Sequence, residues 1–130
     1  NGGYIDIDVD GDNNSDFTFG LNGVGSALYS VSISTFNDII VDNLVSNPNS
    51  CYATALFSGV TINSSNRWAD FTRNVKLDEQ NKGNFKGNGE LFIGFRLESG
   101  SNYLYGWMLV ELTAGLEFKI KSFANFPEVL

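Results

Sequence analysis

Apolar and polar residues alternate along most of this chain, which is the period of a β-strand with one buried face. The clearest case is the segment 28–34, where Tyr29, Val31 and Ile33 alternate with serines. No window of helical length shows apolar residues at helical spacing. The pattern therefore predicts an all-β protein.

Turn-forming residues divide this pattern into short strands and one irregular stretch. The polar segment 63–88 carries only isolated apolar residues, which predicts an excursion with at most one helical turn. The three strands after it should form a meander, with turns at Ser99–Gly100 and Ala114–Gly115. Beyond an N-terminal hairpin, the predicted strands cover residues 28–34, 38–45, 52–62, 90–98, 102–113 and 116–126. This number of short strands predicts a single antiparallel β-sandwich domain over 1–130, of jelly-roll type.

The middle strand of the meander is apolar on both faces. One face carries Leu104, Gly106, Met108, Val110 and Leu112, and the other carries Tyr103, Tyr105, Trp107 and Leu109. Such a strand is either a central strand packed on two sides or a strand that borders a ligand surface.

Oxygen-bearing side chains recur at every second position of an acidic loop near the N-terminus: Asp8, Asp10, Asp12, Asn14 and Asp16. Gly11 lies among them, where the backbone must turn sharply. Carboxylates this close repel one another unless a divalent cation lies between them, and Ca²⁺ accepts many oxygen ligands in loose geometry. The spacing predicts a calcium site that fixes the turn of the hairpin. The alternative is a solvated acidic turn without metal.

Two loop registers compete for this segment. An EF-hand register starting at Asp6 fails, because Phe17 stands where that loop needs its bidentate Glu. Starting at Asp8, the pattern D-x-D-G-D-x-x-x-D resembles the calcium hairpin loops of integrin-type FG-GAP repeats. Asn13 stands where those loops usually carry Gly, and Asn tolerates a positive φ. The resemblance implies side-chain ligands at Asp8, Asp10, Asp12 and Asp16, and a main-chain carbonyl ligand at Asn14.

The run FIGFRLESGSNYLYGWMLVEL over 92–112 resembles a signature of secreted bacterial surface proteins. Those proteins also open with a D-x-D-G-D loop, carry a lone mid-domain Trp and have a Gly-x-Phe-x-Gly before the last meander. Trp68 and the segment 83–87 occupy those places here, whereas Leu104 replaces a residue that is usually polar. The resemblance implies an exported β domain of the cell surface or the secreted fraction, and it carries no enzymatic activity over.

Charge and composition argue against two classes of partner. The net charge of −7 argues against nucleic acid and anionic membrane surfaces, and no apolar run approaches the length of a membrane span. Cys51 is alone, so we expect a small buried hydrophobe and no intramolecular disulfide. The chain begins without Met, which predicts a processed piece, and a calcium loop favours an extracellular setting.

The sequence offers little for catalysis. It contains no His, which removes the Ser-His-Asp and Cys-His constellations and the commonest general base. A pair among Glu90, Glu98 and Glu111 would suit glycoside hydrolysis, but a strand Glu beside Arg96 more often forms an ordinary cross-strand ion pair. We therefore expect the protein not to be an enzyme.

Binding is the favoured functional class. Aromatic platforms with amides and carboxylates recognise sugars, and Trp68, Tyr103 and Tyr105 are the candidate ligand-binding rings, whereas Trp107 is expected in the core. The sequence thus predicts an extracellular, calcium-stabilised module for binding or adhesion, with glycans or other surface protein subunits as partners. A structural subunit of an adhesin or filament is the alternative, and a polysaccharide-active enzyme with a Glu pair is a weaker one.

Overall fold

The fold is taken from a computed structural model, which describes residues 4–22, 28–33, 37–42, 51–70, 75–79, 82–99, 101–115 and 117–125. Those residues form ten β-strands and no helix, and they pack as two five-stranded sheets with a shared core. The predicted all-β sandwich is confirmed, and no closed barrel is formed. Among the described residues there is accordingly no helix of the length and apolarity needed to cross a membrane.

The first sheet contains the N-terminal hairpin. Its strand order is β1 (Tyr4–Ile7), β2 (Phe17–Asn22), β3 (Leu28–Ile33), β7 (Val75–Glu79) and β5 (Cys51–Tyr52). All neighbours pair antiparallel except β5 and β7, which are parallel.

The second sheet contains the C-terminal meander. Its strand order is β10 (Phe118–Asn125), β9 (Asn102–Leu112), β8 (Glu90–Ser99), β4 (Asn37–Ile40) and β6 (Trp68–Ala69). The three meander strands follow the predicted bounds to within about two residues, the usual uncertainty of strand ends. Their antiparallel pairing is as predicted.

The middle of the chain differs from the sequence-based prediction. The stretch 63–88, predicted as irregular, contributes β6 and the inner strand β7, and its described residues contain no helical turn. Strand β7 is short and is held by pairing with the distant β3, a contact that local residue patterns do not reveal. The predicted strand 52–62 shrinks to Cys51–Tyr52 plus isolated bridges, because its backbone crosses from one sheet to the other. Residues 43–45 of the predicted fourth strand lie outside the described residues.

Aromatic side chains fill the main core between the sheets. Phe17 of β2 lies 5.5 Å from Phe95 of β8 between ring centroids, and Phe19 stacks on Phe118 at 4.6 Å. Cys51 is buried in the same core, as expected. These contacts join the two sheets directly behind the N-terminal loop.

A second, smaller apolar cluster covers the outer face of the second sheet. It contains Ile40, Leu56 and Ile62, with Val60, Trp68, Phe92, Tyr105 and Trp107 packed against them. Gly94 makes this possible, because a Cβ there would lie 2.5 Å from Ile40 Cδ1 and 3.0 Å from Leu56 Cδ1. The second sheet is therefore packed on both sides, as one of the two interpretations of its middle strand predicts.

Candidate functional site

The acidic loop closes the hairpin between β1 and β2. Ile7 and Phe17 are the last paired residues, and the Asp16 N–H donates to the Ile7 carbonyl at 2.8 Å. Val9 and Phe17 are both buried in the main core. The loop is therefore anchored at its two ends by apolar side chains.

Asp8 organises the turn of the loop. Its Oδ1 accepts the Gly11 N–H at 2.8 Å, and its Oδ2 accepts the Asn13 N–H at 2.7 Å. Gly11 has φ +78° and Asn13 has φ +69°, so both adopt the left-handed conformation that Gly and Asn tolerate. Asn13 stands where FG-GAP loops usually carry Gly, and its conformation shows that Asn is compatible with the turn.

Asp10 and Asp12 lie on the exposed rim of the loop. The Asp12 N–H donates to Asp10 Oδ1 at 3.2 Å, and the Asn14 N–H donates to Asp12 Oδ1 at 2.9 Å. Such side-chain turns fold the carboxylates back over their own backbone. The carbonyl ligand expected at Asn14 stays a prediction.

Asp16 connects the loop to both sheets. Its side chain is 6% exposed, and its Oδ2 accepts the Val9 N–H at 2.9 Å. The Asn37 amide on β4 donates to Asp16 Oδ1 at 3.3 Å and reaches its carbonyl oxygen at 3.4 Å. Because β4 belongs to the second sheet, this contact joins the loop of one sheet to the other.

Four carboxylates of the loop converge, as the spacing predicts. One oxygen from each of Asp8, Asp10, Asp12 and Asp16 lies within 4.8 Å of the others, so the group could hold a metal ion. Opposite oxygens in a calcium coordination sphere are about 5 Å apart, which matches this span. Asp6 lies outside the cluster and accepts a hydrogen bond from the Thr18 hydroxyl at 2.6 Å.

Desolvation, with a smaller contribution from neighbouring carboxylates, raises the pKa of two carboxyl groups in the loop. Desolvation within the loop, followed by the contact with the Asp8 carboxyl, raises the pKa of Asp10 to about 6. Burial also raises the pKa of Asp16, although the bonds from Val9 and Asn37 oppose it. A raised carboxyl pKa means that the loop accepts positive charge readily, as a proton or as a cation.

The pKa of Asp8 shifts in the opposite direction and is lowered. Desolvation acts to raise its pKa, but hydrogen bonds from the amides of Asn13, Gly11 and Asp12, together with the contact to Asp10, outweigh it and leave the pKa lowered. Asp8 therefore stays ionised where Asp10 takes up a proton, which makes it the constant negative charge of the loop.

The predicted aromatic residues also come together, on the outer face of the second sheet. Ring centroids of Trp68 and Tyr105 lie 5.8 Å apart, and those of Tyr103 and Tyr105 lie 6.4 Å apart. Trp68 is half-buried, and its indole N–H donates to the Asn63 carbonyl at 3.1 Å. Tyr103 is 40% exposed, as expected for a ring near a turn.

Arg96 occupies this aromatic surface. Its guanidinium carbon lies 3.9 Å from the Tyr103 ring centroid and 4.7 Å from that of Trp68, and its Nε donates to Asp38. Arg96 thus pairs with Asp38 of β4, not with a strand Glu as expected. Arg96 therefore already stacks on two of the three candidate rings. Ligand binding by Trp68, Tyr103 and Tyr105 stays a prediction.

Among the remaining candidates, Glu90 and Glu111 lie opposite each other on β8 and β9, whereas Glu98 lies elsewhere along β8. Trp107 packs edge-on against Phe92 at 5.1 Å in the outer cluster, consistent with its expected core role. Glu90 and Glu111 are cross-strand partners in the meander, and Glu90 also lies 3.6 Å from Lys121. Glu98 pairs across the sheet with Tyr103.

Comparison with known proteins gives no match to a family, to a curated protein or to a solved structure. The two family resemblances therefore stay predictions.

Proposed function

We propose that this protein is an extracellular binding module whose N-terminal hairpin is stabilised by one Ca²⁺. The observation that carries the proposal is the convergence of Asp8, Asp10, Asp12 and Asp16 within 4.8 Å. Coordination by four carboxylate oxygens suits a hard divalent cation.

Calcium fits the loop better than magnesium. The four carboxylates come from an irregular turn, and calcium accepts irregular coordination, whereas Mg²⁺ requires a near-ideal octahedron of short bonds. Asp10 and Asp12 are exposed, so water can complete the coordination on that side. Oxygen ligands with solvent access are typical of calcium loops at protein surfaces.

The bound ion would stabilise the folded chain. Asp16 contacts Asn37 on the second sheet, and Phe17 next to it packs on Phe95, so a ligated loop holds the hairpin against both sheets. An ion that binds only the folded chain stabilises it by mass action. At a free calcium concentration about a hundredfold above Kd, this contributes about 2.7 kcal/mol.

The same chemistry supports an extracellular setting. Cytosolic free calcium is too low to fill an ordinary loop of this kind, whereas extracellular calcium sites need only weak affinity. With a stable sandwich and no catalytic constellation proposed, binding or adhesion is the favoured role, with glycans or surface protein subunits as partners. A filament or adhesin subunit is the alternative, and polymers of the purified chain in electron micrographs would favour it.

Isothermal titration of the metal-free chain with CaCl₂ and MgCl₂ tests the ion directly. We expect one calcium per chain, weaker magnesium binding, and loss of the calcium signal in Asp10→Asn and Asp12→Asn. Asp6→Asn is the matched control, because Asp6 lies beside the cluster but contributes no oxygen to it. Absence of calcium binding by the unmodified chain rules the proposal out.

A further inference from the structure

A cleft of about 350 Å³ opens where β4 ends and β8 begins, at the opposite end of β4 from Asn37 and the acidic loop. Its size is at the lower end of the range for small-molecule sites. It is lined by Asp42, Thr54, Phe57, Asn84, Asn88 and Leu91. We call it the Phe57 cleft.

Phe57 presents an open aromatic ring at this cleft. Its side chain is 64% exposed, the highest value for a large apolar residue among those the structure describes. The backbone beneath it is fixed, because Leu56 exchanges two hydrogen bonds with Phe92 at 2.9 and 3.1 Å. A turn follows, in which the Val60 N–H donates to the Phe57 carbonyl at 3.2 Å and Gly59 has φ +96°. The backbone that carries the ring is therefore fixed, while the ring itself is uncovered.

The other wall of the cleft is a set of polar side chains that position one another. Asp42 accepts the Thr54 hydroxyl at 2.9 Å on one oxygen and the Asn84 amide at 2.7 Å on the other. The Asn84 amide nitrogen also donates to the Ala53 carbonyl at 2.8 Å, and the Asn88 amide donates to the Asn84 carbonyl at 3.0 Å. These bonds fix the side chains before any ligand arrives.

The fixed side chains keep hydrogen-bonding capacity for a ligand. Among the residues that the structure describes, each carboxylate oxygen of Asp42 accepts one bond, which leaves it a second lone pair. Both N–H groups of Asn84 are committed to Asp42 and Ala53, which leaves its Oδ1 as an acceptor. Asn88 retains a second N–H donor.

We propose that the Phe57 cleft binds a neutral saccharide. A sugar ring has an apolar C–H face that can lie on Phe57, and hydroxyl groups that both donate and accept hydrogen bonds at Asp42, Asn84 and Asn88. The Asp42 carboxylate and the net charge of −7 disfavour an anionic sugar. The inference rests on the binding role proposed above and names the ligand class and site, but it does not require the calcium loop.

The Phe57 cleft and the aromatic surface at Tyr103 are alternative ligand sites, and a substitution of Tyr103 should impair binding only at the second. Arg96 covers the Tyr103 ring from 3.9 Å, whereas the Phe57 ring carries no such partner among the described residues. Substituting Tyr103 therefore distinguishes the two sites.

Affinity electrophoresis through gels that contain soluble xylan, mannan, mixed-linkage β-glucan or alginate tests the proposal. We expect at least one of the three neutral polysaccharides to retard the chain. We expect Phe57→Ala and Asn88→Ala each to weaken this retardation roughly tenfold, the scale of one lost stacking or hydrogen-bonding contact. Phe123→Ala is the matched control for loss of an exposed Phe, and Tyr103→Ala should leave binding unchanged.

Three outcomes overturn the inference: no retardation by any neutral polysaccharide, retardation by alginate alone, or retardation that survives both cleft substitutions. Loss of binding in Tyr103→Ala alone would move the site to the aromatic surface. Calcium titration of the same samples separates the proposals, because failure of the cleft leaves the calcium stoichiometry unaffected.

Discussion

The acidic loop and the Phe57 cleft are built in different ways. The loop draws its four carboxylates from one short stretch of chain, and backbone amides of the same stretch orient them. The cleft draws its side chains from three separated segments, around Asp42, Phe57 and Asn84. A site of the first kind is encoded by local spacing, whereas one of the second kind exists only after the sheets have packed.

The two regions also differ in what they need from a ligand. In the loop, desolvation followed by the contact with the Asp8 carboxyl raises the pKa of Asp10 to about 6, so without a cation the site is electrostatically unfavourable. In the cleft, Asp42 already accepts hydrogen bonds from Thr54 and Asn84, so the site is stable without a ligand. A ligand should therefore stabilise the fold strongly through the loop and only weakly through the cleft.

Phe17→Ala should give the largest effect, because it removes the side chain that ties the loop to the core. Phe17 is 0% exposed and packs on Phe95, so we expect the free energy of unfolding to fall by about 3 to 5 kcal/mol. Chemical denaturation measures this, with Phe123→Ala, 44% exposed, as the control. A loss equal to that of the control would mean that the loop is not anchored through Phe17.

Asn37→Ala should lower the free energy of unfolding by an intermediate amount, and it acts through the acidic loop. The change removes both contacts from β4 to Asp16 and leaves a buried carboxylate oxygen with one partner fewer, a cost of about 1 to 3 kcal/mol. We also expect weaker calcium binding, because Asp16 loses its orientation. Titration calorimetry beside a denaturation curve measures both, and unchanged calcium affinity would show that the link to the second sheet does not position the ligand.

The pH dependence of stability should have opposite signs with and without calcium. In the metal-free chain the folded pKa of Asp10 is raised from its ordinary value of 3.8 to about 6, so its stabilising contribution is present below the unfolded pKa and is lost as the pH rises through about 6. Asp16 shifts in the same direction. With saturating calcium, protons compete with the ion, so stability should rise over the same interval. Thermal unfolding at about pH 4.5 and about pH 7, in chelator and in calcium, measures both slopes; equal slopes would contradict the account.

Phe57→Ala should have the smallest effect on stability. An exposed side chain at a turn contributes little, and we expect a change within about 0.5 kcal/mol. The melting temperature and the calcium affinity should both match those of the unmodified chain. A large destabilisation would show that Phe57 is a packing residue and would remove the contrast between the two regions.

Local patterns in the sequence predict the loop well and the cleft not at all. The Asp spacing places four carboxylates together, and period-two alternation identifies both faces of β9. Asn37 is missed because its role depends on the approach of the second sheet, and β7 is missed because distant β3 holds it. The aromatic residues are found, but Arg96 stacking on them leaves no trace in the sequence.

The exposure of Phe57 could not be predicted from the sequence either. In sequence Phe57 belongs to the predicted strand 52–62, whereas in the structure it precedes a turn closed by Val60 and is exposed. Its polar neighbours Asn84 and Asn88 lie in a segment predicted as irregular. Nothing in their order along the chain indicates that they face Phe57 across a cleft.

The melting temperature in calcium and in excess chelator tests the central claim most directly. The account predicts a clear drop on chelation, reversed by added calcium, with Asp10→Ala and Asp12→Ala each largely abolishing the difference. Asp6→Ala should keep it, since Asp6 stands outside the converging carboxylates. Superimposable melting curves for the unmodified chain in calcium and in chelator would contradict the claim.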